Sequence, residues 1–137
     1  MPAPYTGGCQ CGAVRYEVSA EPERVAACHC GECQRQSGSA FGMSMLVREE
    51  AFRLLQGTVK LFTRSSDSGR PVAGAFCPEC GTRIYHIPGY LEGIVNVKPG
   101  TLDETGWLRP ESHFWTSKHQ AWLPLPEDAS CHETQPF

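Results

Sequence analysis

Seven of the eight cysteines in this chain fall into three short sets: Cys9-x-Cys11, Cys28-x-Cys30-x-x-Cys33 and Cys77-x-x-Cys80. Thiolates at such spacing suit zinc, because a tight turn delivers two sulfurs to one tetrahedral metal at about 2.3 Å. Gly81, directly after Cys80, fits that geometry, since a residue without Cβ lets backbone amides turn toward the sulfur. Seven ligands divide as four plus three. Cys28, Cys30 and Cys33 lie close enough in sequence to close on one metal by themselves, whereas each pair needs a partner pair, so Cys9 and Cys11 are expected to join Cys77 and Cys80.

The two sites differ in what they can do. A four-thiolate site is closed, contributes folding free energy on the order of 10 to 16 kcal/mol in small zinc domains, and performs no chemistry. A three-thiolate site leaves the fourth tetrahedral position to water, a side chain or a substrate, which is the mark of catalytic zinc. Cys28, Cys30 and Cys33 are therefore the candidate catalytic residues, and two zincs per chain are expected. The competing reading has His29, His86, His113 or Glu32 completing a second closed site, or leaves that site empty. Other residues carry weaker signals. Cys131 with His132 reads as an incidental pair in an acidic tail, and His113 and His119, on either side of Trp115 and near Trp122, read as aromatic surface packing. Arg35, Arg64 and Lys118 can grip a carboxylate but read as solvated charges.

The elements that position these residues are short. With 137 residues, 14 glycines and 11 prolines, the chain fits one domain spanning 1–137, with a core at about 5–122 and a proline-rich acidic tail at 124–137. Alternating apolar and polar residues predict strands at 14–18 and 57–63, and extended segments at 25–28, 41–47 and 94–97 and around 113–116. Residues 7–12 read as a turn feeding the first strand, 49–55 stays undecided, and 34–37 allows one or two helical turns before Gly38 stops them. Residues 72–76 and 82–86 form a hairpin with the Cys77, Cys80 pair at its tip. The expected fold class is all-β, built of antiparallel sheets pinned by zinc.

Twelve Lys and Arg against fifteen Asp and Glu give a formal charge of −3, with no basic excess to neutralise phosphates, so nucleic acid is not an expected partner. No stretch approaches the roughly 18 apolar residues of a membrane span, and the start Met1-Pro2-Ala3-Pro4-Tyr5 lacks the pattern of a secretory signal. A cytoplasmic protein with reduced thiols is expected. A disulfide-rich secreted domain is the least favoured reading.

Three stretches together resemble the glutathione-dependent formaldehyde-activating enzyme family: 8–16 around Cys9 and Cys11, 28–41 around the cysteine triple, and 76–82 around Cys77 and Cys80. The resemblance covers 5 to about 122. It implies a β-tent fold with Cys9, Cys11, Cys77 and Cys80 on a structural zinc and Cys28, Cys30 and Cys33 on a catalytic one. It also implies condensation of glutathione with formaldehyde to S-(hydroxymethyl)glutathione, formally a carbon-sulfur lyase in reverse. A thiol entering the open zinc position would become a thiolate and add to the aldehyde carbon, with Gln34, Ser37 or His29 as candidates to steady the oxygen. No cluster of Arg or Lys in the sequence marks a pocket for the glutathione carboxylates. The alternative is a non-enzymatic zinc module that binds a small thiol or a protein partner.

Overall fold

Eleven short strands and one short helix make up the computed structural model, which describes residues 3–66 and 68–135; Met1, Pro2, Asp67, Pro136 and Phe137 lie outside the described residues. β1 (Tyr5–Gly8) and β2 (Arg15–Val18) pair antiparallel from Tyr5↔Val18 to Gly8↔Arg15, and β5 (Phe52–Gln56) lies on the other side of β2. The expected turn at 7–12 therefore begins two residues late, because Gly7 and Gly8 belong to the strand. Gly7 is there for close approach. A Cβ on it would sit 2.5 Å from the Thr101 carbonyl oxygen and 2.6 Å from the Tyr16 hydroxyl.

The second sheet has eight strands in the order β11-β10-β3-β4-β9-β8-β7-β6. β3 (Arg24–Cys28), β4 (Gly42–Arg48), β9 (Ile94–Val97), β8 (Arg83–Pro88), β7 (Pro71–Phe76) and β6 (Lys60–Ser65) pair antiparallel in that order. β6 starts three residues later than the alternation predicted, after Gly57 turns the chain at φ +82°. The undecided stretch at 49–55 resolves into one 3-10 turn, Glu49–Ala51, followed by β5.

Two pairings at one end of this sheet depart from the expected antiparallel plan. β10 (Ser112–Phe114) runs parallel to β3, and β11 (Ser130–Cys131) runs parallel to β10, so the sheet is mixed. The long excursion between β9 and β10 supplies the connection that parallel pairing needs. The tail is also held more firmly than its composition suggests, because β10 would otherwise present an open strand edge. His132 N–H donates to the His113 carbonyl at 2.9 Å, Thr116 N–H to the His132 carbonyl at 3.0 Å, and the Ser117 hydroxyl to the Glu133 carbonyl at 2.7 Å.

The two sheets share one core. Val14, just before β2, and Tyr16 and Val18 on it meet Met45, Val47, Ile84 and Val97 from the large sheet, all fully buried. Cross-strand pairs Met45↔Val97 and Val47↔Val95 set the register, since a one-residue slip would turn these side chains outward. Tyr16 carries its hydroxyl into this core by bonding the Thr101 hydroxyl at 2.7 Å. Among the described residues no helix is long and apolar enough to cross a membrane.

Because the small sheet closes on Tyr16 and Thr101 only where Gly7 lets the backbone in, Gly7→Ala is expected to destabilise by about 1 to 3 kcal/mol. Tyr16→Phe, which loses one hydroxyl bond, is expected to cost about 1 kcal/mol. Chemical denaturation of the two variants checks that order.

Candidate functional site

Cys9 and Cys11 sit on the turn between β1 and β2, and Cys77 and Cys80 on the turn between β7 and β8; their four sulfurs all lie within 4.8 Å of one another. The Cys9 and Cys11 sulfurs are 3.6 Å apart, and those of Cys11 and Cys77 are 3.8 Å apart. A tetrahedron with metal-sulfur bonds of about 2.3 Å has edges of about 3.8 Å, so the donor set fits a tetrahedral metal. Local backbone makes the fit. Gly12 and Gly81 turn at φ +83° and +79°, and Val14 N–H donates to Cys9 Sγ at 3.2 Å. Thr82 joins the two turns, its hydroxyl accepting from Gln10 N–H at 3.1 Å and lying 3.2 Å from Cys80 Sγ.

Ionisation is shared unevenly across this set. The Thr82 hydroxyl, helped by the Thr82 and Cys11 amides, draws Cys80 down to about 5. Burial opposes ionisation of Cys9, but the Val14 amide and neighbouring thiols outweigh it and lower its pKa. The Ala13 amide favours a Cys11 thiolate, yet Cys9 and Cys80 beside it push Cys11 up to about 12. Four thiolates can coexist only around a cation that offsets their repulsion.

The second cluster is built at the start of the helix. Cys28 ends β3, Cys30 caps α1 (Gly31–Ser37), and Cys33 lies in its first turn; the three sulfurs fall within 4.8 Å of one another. Cys30 Sγ accepts the Cys33 N–H at 3.3 Å, and Gly38 ends the helix at φ 62°. Gly42, opposite Cys28 on β4, gives Cys33 room, since a Cβ there would lie 3.2 Å from Cys33 Cβ. The Cys28 and Cys33 thiols hydrogen-bond Cys30 and lower it to about 2. Cys28 is raised by Cys30, Cys33 and burial. Cys28 draws Cys33 down, but Cys30 and burial prevail and lift it to about 11. Among the described residues the group of ligand atoms within 4.8 Å of one another here is these three sulfurs, with no histidine nitrogen or carboxylate oxygen among them.

The triple opens on a cavity of about 630 Å³. Its far wall comes from the outward faces of four strands and the turn after β9: Ser44, Arg64, His86, Asn96 and Lys98. These residues follow the same alternation that buries Met45, Val95 and Val97 on the other face. Arg64, Lys98 and Lys118 line the cavity, and Arg83 stands behind them with Nη1 3.0 Å from His86 Nε2. Burial, then Arg64, lowers Arg83, while burial lowers Lys98 against the pull of Cys33 and Cys28. Burial, then Lys98, Arg83 and Arg64, holds His86 down to about 2, so it is neutral. The Arg and Lys cluster that is not evident along the chain is thus assembled in space.

Several residues sit elsewhere than the sequence suggests. Gln34 donates to the His29 and Lys118 carbonyls at 2.8 and 3.1 Å, and Ser37 to the Phe41 carbonyl at 3.0 Å, so both brace backbone. His113 is buried rather than on the surface, and its Nδ1 lies 2.9 Å from His29 Nε2. Burial, then His113 and His119, lowers His29 to about 4. Arg35 faces a shallow groove with Phe41 and Trp122, away from the cavity. Thr134 and Gln135 bring the tail into the cavity wall beside Trp115, whose backbone is left-handed at φ 57°. Cys131 is exposed, and no disulfide joins any of the eight cysteines.

A family model described as glutathione-dependent formaldehyde-activating enzyme matches residues 4–118. The crystal structure of a Rhodobacter sphaeroides protein is similar in fold, with a TM-score of 0.58 at 22% identity over 77% of this chain and 91% of that one.

Two outcomes follow from this geometry. In a chelator titration, metal should leave the triple with the fold intact, whereas loss from the four-cysteine set should bring cooperative unfolding, because only that set ties segments about 65 residues apart. Circular dichroism alongside metal release reads both steps. Neutral, buried His86 binds fewer protons folded than unfolded between about 2 and 6.5, so stability must fall as pH drops through that window. His86→Gln removes that dependence, and the metal-loaded variant should lose about 2 kcal/mol less than the parent between pH 7 and 5.

Proposed function

The chain belongs to the glutathione-dependent formaldehyde-activating enzyme family, and we propose that it joins glutathione or a related small thiol to formaldehyde or another small aldehyde at Cys28, Cys30 and Cys33. The activity is that of a carbon-sulfur lyase running as a synthase, S-(hydroxymethyl)glutathione synthase-like, in a single zinc-binding domain spanning 1–137. One observation carries this reading: three clustered sulfurs facing a cavity of about 630 Å³, with no fourth protein ligand among the described residues.

Cys28, Cys30 and Cys33 would hold one zinc and Cys9, Cys11, Cys77 and Cys80 a second, structural one. Zinc bound at the triple would supply a Lewis-acidic position at which a substrate thiol ionises near neutral pH. The chain's own residues favour the same charge, because Lys98, Arg64 and Lys118 line the cavity and stabilise an anionic sulfur over a neutral one. The thiolate sulfur forms a bond to the carbonyl carbon, the carbonyl electron pair moves to oxygen, and the proton given up by the thiol ends on that oxygen. Nothing is oxidised or reduced. Reduced cysteines throughout suit a cytoplasmic setting.

A binding module without turnover is favoured by one observation. The buried pair His29 and His113, well placed to pass a proton to each other, does not line the cavity. Saturable acceleration of thiol-aldehyde condensation above the uncatalysed rate decides between the two readings. On the catalytic reading, native mass spectrometry finds two zincs per chain. Cys30→Ser lowers kcat/KM at least about a hundredfold, while the main thermal transition stays in place. Unchanged turnover in that variant rejects the assignment.

A further inference from the structure

Outside the ring of sulfurs, one side chain touches the backbone that carries them. Gln34, half-buried on α1, gives its amide nitrogen to two backbone carbonyls, that of His29 at 2.8 Å and that of Lys118 at 3.1 Å. Its oxygen accepts from Gln120 Nε2 at 3.2 Å, and Gln120 Oε1 accepts the Trp122 indole N–H at 2.6 Å. Both ends force the direction of this chain. An indole N–H only donates and a carbonyl only accepts, so neither amide can turn over without losing its bonds. Position 34 must therefore offer two donors and one acceptor at this reach, and glutamine carries that set.

The two carbonyls matter for where they lie. His29 stands between Cys28 and Cys30, and its backbone is fastened on both sides: its N–H donates to the Phe114 carbonyl at 2.9 Å while its carbonyl takes Gln34. The turn that brings Cys30 Sγ to Cys28 and Cys33 is thereby held in one orientation. Lys118 ends the 3-10 turn Thr116–Lys118 after Trp115, and Trp115 and Lys118 both line the cavity. We propose that Gln34 is a positioning residue for the metal of the triple: it holds the Cys28–Cys30 turn in the ligating arrangement and fastens that turn to the 115–118 segment. Metal affinity at the triple then depends on an amide that touches no metal. Hydrogen bonds that orient ligands in this way commonly carry about ten- to a hundredfold in metal affinity. The four-cysteine set has separate support, from the Val14 amide and the Thr82 hydroxyl, and is indifferent to Gln34. This assignment rests on the reading of the triple as a zinc site and names what holds that site ready.

Zinc retention tests it without thiol or aldehyde. Native mass spectrometry of the full chain counts zinc per molecule across a series of chelator concentrations, and circular dichroism follows the fold. Gln34→Met keeps the reach and loses every bond; Gln34→Glu sets an acceptor against two carbonyls. In each, the chelator midpoint for loss of the first zinc should fall about ten- to a hundredfold, while the midpoint for the second zinc and the main thermal transition stay in place. Gln120→Ala should lower the first midpoint severalfold in the parent and leave it unchanged in the Gln34→Met background, because its route to the triple runs through the Gln34 oxygen.

A first midpoint unmoved in both Gln34 variants overturns the proposal. So does a parallel fall of both midpoints and the thermal transition, which marks a residue of the fold as a whole, and so does a Gln120→Ala effect of equal size in both backgrounds. The outcome is separable from the catalytic reading. A parent chain with one zinc rejects the metal triple, and the proposed reaction and the role of Gln34 fall together. Two zincs and a first midpoint that ignores Gln34 reject its role alone, and the expected shifts without any condensation reject the reaction alone.

Discussion

Ionised sulfurs held about 4 Å apart repel one another strongly in a half-buried setting, and this chain crowds seven of them into two sets. Without a cation, each set can carry only part of its charge. Cys80 and Cys9 are drawn toward thiolate while Cys11 is held back, and Cys30 is ionised at the expense of Cys28 and Cys33. The turns nevertheless hold the sulfurs at the spacing of a filled tetrahedron, with glycines at positive φ and amides aimed at the acceptors. The fold therefore spends strain-free geometry on an arrangement that only a divalent ion makes comfortable. The first set binds a hairpin of the small sheet to a hairpin of the large one. The second stays local to β3 and α1 and borrows its surroundings from distant strands.

That difference explains what was legible along the chain. Cys9 with Cys11, Cys28 with Cys30 and Cys33, and Cys77 with Cys80 declare themselves because their spacing is local and their chemistry is unusual. The partition into four and three follows from arithmetic, and the structure assembles the same groups. Strands such as β2 and β9 were equally legible, since one buried face leaves a period of two.

The rest was hidden for physical reasons. Parallel pairing of β10 with β3 depends on how a long connection returns, which periodicity does not record. His113 has polar chemistry that favours the surface, and only its meeting with His29 makes burial acceptable. Alternation marks Ser44, His86, Asn96 and Lys98 as the face opposite the core, but that face opens on a cavity lined jointly by four strands instead of on bulk water. Reading polar residues on one strand face together with those of its predicted neighbours is the signal that would have found the wall.

The tail adds its part of the cavity wall late in synthesis. Residues 130–135 leave the ribosome after every clustered cysteine, and a chain folds from its N-terminal side as it emerges. Both sulfur clusters can thus gather while the end beside Trp115 is still open, before Thr134 and Gln135 take their places in the wall. A chain cut before Thr134 would therefore keep both sulfur clusters and lose only part of the cavity lining.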